Sequence, residues 1–288
     1  MPLPPIPTAQ ISVPAGVPVL LRDLIHERAG LFFEKDRLDT MIDKLADRVV
    51  AHGCRSYLDY YYILKYEEKG PDEWLRVMDA FSVQETYFWR EAAQIKTLVE
   101  VVVPAWFRDN SGPLRIWSAA CATGEEPISI AIALREAGWG DHPITIYASD
   151  ASEAALAKAR SGIYRERSFR TLPADLRLKY FDVLVEGSRI RRELLLPIAF
   201  QRANLVSPLD IRPLASAPII FCRNVFIYFS TDAIRATVGF FAQHMPDNGQ
   251  LFIGASESLL KLTDLFELRD VRDAFVYVRK PRPVGERS

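Results

Sequence analysis

Cysteine is scarce: Cys54, Cys121 and Cys222 are the only three in 288 residues, and no Cys-x-x-Cys pair occurs. A disulfide-stapled secreted fold and a thiolate zinc cluster are thereby excluded, and reduced thiols suit a cytoplasmic chain. Histidine is as thin, with His26, His52, His142 and His244 standing apart. No metal is expected, and no Ser-His or Cys-His nucleophile pair is legible. Long apolar runs are missing too. None approaches the roughly 18 residues that span a bilayer, so no membrane insertion is expected. The first 18 residues carry six prolines but no positive charge, unlike a signal peptide. Nor does one sign of charge dominate. With 36 Lys and Arg against 37 Asp and Glu, the net charge of −1 argues against a nucleic-acid binder.

What is present is ordinary globular material, 49% apolar and 25% charged, enough for one large or two smaller domains. Residues 1–18 read as a Pro-rich, disordered or extended tail. From Val19 to about Ala80 the pattern is helical. Leu20, Leu21, Leu24 and Ile25 form one stripe, and Leu38, Met41, Ile42, Leu45 and Val49 form a second. An aromatic-rich helix over Tyr57 to Tyr66 follows, then a break at Gly70-Pro71 before Asp72 to Phe81. Residues 81–113 read as a linker helix that Pro104 ends near Val103, with Asn110-Ser-Gly-Pro113 leading into the next domain. Tyr87, Phe88 and Trp89 cannot all be buried on one helix face; a ligand contact and a domain interface are equally good readings.

Residues 114–280 carry the chemistry. Leu114 to Ala119 reads as a strand, a small-residue loop ends at Gly124, and a helix follows with Ile128, Ile130, Ala131, Ile132 and Leu134 apolar. This is the first unit of a nucleotide-binding parallel sheet, although with one glycine the glycine pattern is weak. The acid pair Glu125-Glu126 at the helix entrance is more telling. A helix N-terminus suits phosphate, and two carboxylates there would repel one. They suit a cationic, phosphate-free ligand such as S-adenosylmethionine; first-turn acids favoured by the helix dipole are the competing reading. A second unit runs from strand Ile144–Asp150 into a helix from Ser152 to Arg160. Asp150, 26 residues beyond Gly124, stands where such sheets hold a ribose, or is a plain helix cap.

Beyond Arg160 the rhythm breaks. Leu172 to Phe181 reads as a short helix, and Val183 to Leu194 as a turn with short strands. Arg177, Lys179, Arg189, Arg191, Arg192 and Arg202 crowd this insertion, set at about residues 179–202. They read as a solvated face or a seat for an acidic partner. Ile198 to Asn204 resumes the sheet. A buried strand from Pro218 delivers Arg223 and Asn224, and Ser230 or Thr231 caps a helix running to Met245. Leu251–Ile253 and an edge-like Ala274–Val278 complete the strands; residues 281–288 read as a tail.

Five stretches together resemble the CheR family of chemotaxis-receptor glutamate methyltransferases. They are Glu85-Thr-Tyr-Phe-Trp-Arg90, Arg115-Ile-Trp-Ser-Ala-Ala-Cys-Ala-Thr-Gly-Glu-Glu-Pro127, Ala159-Arg-Ser-Gly-Ile-Tyr164, Phe221-Cys-Arg-Asn-Val-Phe-Ile-Tyr-Phe229 and Gly254-Ala-Ser-Glu-Ser258. The resemblance covers roughly Val19 to Lys280. It implies a Rossmann-like α/β methyltransferase sheet with a small inserted β-subdomain and an N-terminal all-α domain. The implied reaction carries a methyl group from S-adenosylmethionine to glutamate carboxylates of a chemoreceptor's cytoplasmic helical bundle. A receptor C-terminal peptide at the β-subdomain is a further implied partner, and a monomer is expected. By the same resemblance, Thr86 and Arg90 approach the methionine moiety and the transfer centre, Gln84 lies beside the cofactor, and Glu126 binds it. Asp150 takes the ribose, Asn204 and Leu205 lie near the adenine, Arg223 and Asn224 line the cofactor, and Tyr228 stands near the methyl. The catalytic pair is thus Arg90 and Tyr228.

The chain departs from the family pattern at three places. Gln84 stands where Asn is usual, Ala255 where His is common, and Ala217-Pro218 where an acid precedes the strand. The helix from Glu34 to Arg55 balances five basic against five acidic residues, without the basic excess of a surface that grips acidic helices. Two rivals follow: a non-catalytic module that binds S-adenosylmethionine or S-adenosylhomocysteine, and a methyltransferase for a different signalling protein. A nicotinamide oxidoreductase fails on the acid pair and the single glycine.

Overall fold

The computed structural model describes residues 11–281; the expectations for residues 1–10 and 282–288 lie outside them. The first four helices are α1 (Val17–Ala29), α2 (Leu38–Ala51), α3 (Tyr57–Tyr66) and α4 (Gly70–Phe81). Their apolar stripes close one core around Leu21, Ile25, Met41, Leu45, Tyr60 and Val77. The expected tail does not extend through Pro18, which sits in the first turn of α1, where a missing N–H is harmless. Ser12 pairs with the segment before α3, donating its N–H to Arg55 and accepting from Tyr57. Inside this core Glu73, only 4% exposed, accepts from Arg48 and from the Tyr60 hydroxyl.

The linker helix does not stop at Pro104. It runs as α5 (Ala92–Thr97), a wider π-helical stretch over Leu98–Val102, and α6 (Val103–Asp109). The π turn shifts the hydrogen-bond register, and Pro104 falls in the opening turn of α6, where it takes nothing from the ladder.

The main sheet uses β1 (Leu114–Ala119), β2 (Ile144–Asp150), β6 (Ile198–Arg202), β7 (Ile219–Cys222), β8 (Gln250–Phe252), β9 (Phe266–Val271) and β10 (Ala274–Arg279). Their order is β6-β2-β1-β7-β8-β10-β9, parallel except that β10 runs antiparallel to both neighbours. The expected edge is therefore corrected. β10 is interior and buried at five of six positions, and β9, whose polar alternation gives little periodic signal, forms the edge. Helices α7 (Glu125–Glu136), α8 (Glu153–Ser161), α10 (Pro208–Ala215) and α11 (Thr231–His244) provide the other elements of this doubly wound domain.

A second, antiparallel sheet is built from β3 (Ile163–Tyr164), β5 (Ser188–Ile190) and β4 (Phe181–Val183), with α9 (Ala174–Tyr180) leading into β4. It begins earlier than the expected insertion, since the two-residue β3 is too short to show alternation, and it ends before β6, which belongs to the main sheet. Phe88 roots it, wholly buried against Tyr164, Phe169 and Phe181.

Candidate active site

The C-terminal ends of β1, β2 and β7 open toward the segment 82–91 and toward α1 and α2. Parallel strands deliver loops at that edge, and the switch between β2 and β7 on either side of β1 leaves a crevice there. After β1 the backbone takes left-handed conformations at Ala120 and Ala122, with φ of 56° and 48°, and at Gly124, with φ of 91°. A side chain at Gly124 would also collide, its Cβ lying 2.7 Å from that of Ala159. Trp89, Glu91 and Asn224 are left-handed as well. Non-glycine residues in that region cost on the order of 1–2 kcal/mol each, so surrounding packing must hold this rim in shape.

Two cavities share Val83, Ala120, Ala122 and Asn224. The smaller, about 50 Å³, is lined by Thr86, Tyr87, Arg90, Glu126 and Arg223 among others. The larger, about 300 Å³, is lined by Asp150, Asn204, Leu205 and Tyr228, and on its far wall by Phe32, Phe33, Arg37 and Lys44 of the helical domain.

The acids at the entrance of α7 part company. Glu125 turns inward, accepting from the Thr123 and Ser168 hydroxyls at 2.6 and 2.9 Å. Glu126 faces the smaller cavity. It accepts from the Ser118 hydroxyl at 2.7 Å and pairs with Arg223 at 3.0 Å. The guanidinium of Arg223, 2% exposed, also meets Glu91 at 3.2 Å and donates to the Arg90 carbonyl at 2.7 Å. Two carboxylates thus share one guanidinium, leaving a net negative charge. Burial pushes the Glu126 carboxyl above its ordinary 4.5, an effect that Arg223 and the Ser118 hydroxyl only partly offset.

Asp150 ends β2 with both oxygens used: one accepts from the Ala122 N–H at 2.8 Å, the other from the Ser152 N–H at 2.9 Å. Burial raises its carboxyl above the ordinary 3.8 in spite of these bonds. Asp79 of α4 reaches across to accept from the Ser152 hydroxyl and the Ala154 N–H, so the helical domain caps α8 beside Asp150.

Other expected residues sit as follows. The Asn204 amide donates to the Arg28 carbonyl at 2.6 Å, and Leu205 is buried in the wall of the larger cavity. Arg90 donates to the Glu85 carbonyl at 2.9 Å, its guanidinium 5.5 Å from the centre of the Tyr87 ring. Tyr228 is 37% exposed at the larger cavity, and its carbonyl accepts from the Phe32 N–H. Gln84 lines neither cavity; its side-chain oxygen accepts from Lys158 at 3.1 Å. Glu91 and Ser118 join the cluster around Arg223 and Glu126 and were not anticipated, whereas Tyr87, one of the three aromatics open to a ligand or an interface, lines the smaller cavity. Glu91 and Tyr87 lie within the aromatic stretch, yet no spacing rule announces them, because a left-handed turn rather than a helix aims them. Among the described residues no group of acids, histidines and cysteines could hold a metal.

The arrangement fits S-adenosylmethionine. Glu126 and Glu91 suit its ammonium group, and Arg223, whose Nε is buried without a protein partner, suits its carboxylate. Asp150 suits the ribose, and the apolar wall at Ala203 and Leu205 suits the adenine.

Comparison with known proteins agrees. The model of the CheR methyltransferase all-alpha domain matches residues 19–82, and that of the CheR methyltransferase SAM binding domain matches residues 84–275. Chemotaxis protein methyltransferase 2 of Vibrio cholerae is 34% identical over 263 residues, 90% of this chain and 91% of that one. The chemotaxis protein methyltransferase of Salmonella typhimurium is 34% identical over 254 residues, 85% of each chain. A probable biofilm formation methyltransferase, WspC of Pseudomonas putida, is 29% identical over 256 residues, 88% of this chain and 60% of that one. S-adenosylmethionine is the cofactor that the second of these domains binds, and the chain, matched across both, belongs to the CheR methyltransferase family.

Proposed function

We propose that this methyltransferase acts in the cytoplasm on glutamate side chains of a chemoreceptor's helical bundle, forming the methyl esters used in sensory adaptation. The observation that carries this reading is the state of Arg90. It lines the smaller cavity beside Glu126 and Arg223, stacks near Tyr87, and among the described residues enters no ion pair. A guanidinium left in that condition is suited to steer an incoming carboxylate.

When bound, S-adenosylmethionine supplies a methyl group on a sulfonium, open to in-line displacement by an oxygen nucleophile. An acceptor glutamate, ordinarily with pKa about 4.3, is already ionised at pH 7. No general base is required, and the protein's work is alignment and exclusion of water. Alignment supplies on the order of 7–11 kcal/mol in favourable cases. Arg90 orients the acceptor without neutralising it, and the Tyr228 hydroxyl hydrogen-bonds beside the methyl path. The Tyr87 ring already faces positive charge, with the Arg170 guanidinium 3.6 Å and that of Arg90 5.5 Å from its centre, contacts of a kind worth roughly 0.5–2 kcal/mol that help to hold Arg90 at the cavity. The names of the relatives in Vibrio and Salmonella support a chemotaxis acceptor.

The small sheet supports a tether. Its edge strand β4 ends at Val183, and Val183 and Val185 are 83% and 105% exposed. A receptor C-terminal peptide adding to that edge would gain main-chain hydrogen bonds there.

Tritiated S-adenosylmethionine and a receptor cytoplasmic fragment test the proposal. The expected label is released by mild base as methanol, as an ester requires. A base-stable label, or cofactor binding with no transfer, overturns it. The similarity to WspC, named as a probable biofilm formation methyltransferase, favours one alternative, an acceptor in a biofilm-forming system, and a candidate acceptor of that kind belongs in the same assay.

A further inference from the structure

Behind the groups that face the two cavities stands one carboxylate that touches neither. Strand β7 ends at Cys222, and the loop Arg223–Tyr228 then turns through a left-handed Asn224 into a 3-10 turn over Phe226–Tyr228. Next door, β8 ends at Phe252 and leads into Gly254-Ala-Ser-Glu257. The half-buried carboxylate of Glu257 gathers backbone donors from both loops. One oxygen accepts from the N–H groups of Asn224 at 2.8 Å and Gly254 at 2.6 Å. The other accepts from Phe226 at 2.7 Å and, more distantly, from Ile227 at 3.4 Å. Three of these four donors lie in the loop that carries Arg223, Asn224 and Tyr228. Gly254 clears the space for this contact, since a Cβ there would lie 2.4 Å from the Asn224 side-chain nitrogen and 2.9 Å from the carboxylate.

We propose that Glu257 is a positioning residue for cofactor binding and methyl transfer: its carboxylate sets the shape of the Arg223–Tyr228 loop and so aims Asn224 and Tyr228 into the cleft. Four converging N–H groups need an acceptor on both oxygens. An amide offers an acceptor at one end only, so Glu257→Gln sets its NH2 group against two backbone N–H groups and lets the loop relax. The transfer half of the claim rests on the proposed function, whereas the binding half does not.

Calorimetry with S-adenosylhomocysteine and amide exchange on the full chain test it. For Glu257→Gln the expected results are a Kd raised about tenfold or more, and faster exchange at Asn224 and Phe226 with β1 and β2 unchanged. In the transfer assay, Tyr228→Phe added to Glu257→Gln is expected to cost much less than it does in the wild type, because the hydroxyl is already misplaced. If Glu257→Gln fails to fold, Glu257→Asp carries the test. It keeps the charge but loses a methylene of reach, and the same changes are expected in weaker form. A Kd within twofold of wild type together with unaltered exchange at Asn224 and Phe226, in whichever variant folds, overturns the proposal. So do fully multiplicative effects of the two substitutions. If binding and exchange change as expected but the wild type methylates no receptor fragment, the acceptor reading fails and the role of Glu257 in binding stands.

Discussion

At the scale of single residues, Arg223 decides the character of the smaller cavity. Wedged between Glu91 and Glu126, it cancels one of two negative charges and leaves the other for a cation. Burial holds the Glu126 and Asp150 carboxyls above their ordinary values, so in the unliganded protein they take up protons more readily than a solvated acid does. A ligand ammonium beside Glu126 and ribose hydroxyls donating to Asp150 favour the ionised forms. Binding of S-adenosylhomocysteine should therefore release protons, and its affinity should weaken as pH falls from 7 toward the raised carboxyl range. Calorimetry in buffers of different ionisation enthalpy reads this directly, and net proton uptake would contradict it. Asp150→Asn keeps the shape but turns a donor toward one of two backbone N–H groups. The Kd for the cofactor product should rise about 10- to 100-fold, in line with the 1.5–3 kcal/mol of hydrogen bonds to a charged group. Arg90→Ala should bind cofactor within a few-fold of wild type and lose about 100-fold in kcat, the usual consequence of a misaligned acceptor. An unchanged rate of methyl transfer would remove Arg90 from the mechanism.

Among elements, α4 ties the core of the helical domain to the site. Burial works to raise the Glu73 carboxyl, but hydrogen bonds from Arg48, Tyr60 and His52 win and hold it at about 2. A carboxyl lowered from 4.5 contributes stability that is complete above the unfolded value and fades as pH falls toward 2. At about 1.4 kcal/mol for each tenfold change, this is on the order of 3 kcal/mol at neutral pH. Glu73→Gln should lose most of it and flatten the acid side of the stability curve between about pH 4.5 and 2, as read by urea melts across that range. Farther along the same helix, Asp79 caps α8. Neither contact is visible in the chain, because both join residues distant in sequence. The amphipathic stripes of α1 and α2, the strand-loop-helix unit at Leu114 and the acid ending β2 were legible, since each expresses a local period or a turn chemistry. Pro104 misled because a π turn, which no propensity announces, absorbs it. The edge β9 escaped because its residues alternate between charge and modest apolarity without a buried face. At the site, eight of the nine expected cofactor residues line the two cavities. Gln84 does not, since the turn that places Thr86 inward sends Gln84 outward to Lys158.

For the whole molecule, the cleft is a joint property of two domains. Phe32, Phe33, Arg37 and Lys44 form one wall of the larger cavity, and Asp150, Leu205 and Tyr228 form the other. On the proposed function, the positive side chains at this mouth would meet an acidic helical acceptor, even though α2 as a whole is balanced in charge. Arg37→Glu with Lys44→Glu should raise the KM for a receptor fragment about tenfold at low salt and leave the affinity for S-adenosylhomocysteine within twofold. Equal loss of both would mean that these residues support the fold instead.

The stitches along this seam reach further than the cleft itself. The Arg28 carbonyl to Asn204, His26 to Ser230, the Phe32 N–H to the Tyr228 carbonyl, and Asp79 to Ser152 each join one half of the chain to the other beside the larger cavity. Heat should consequently dismantle both halves in one event, and an occupant spanning the gap should act as mortar. At a hundred times its Kd, S-adenosylhomocysteine should add about 2.7 kcal/mol to that single transition, visible as one calorimetric peak moving upward. Two peaks, with only the later one shifted, would mean that the halves stand independently.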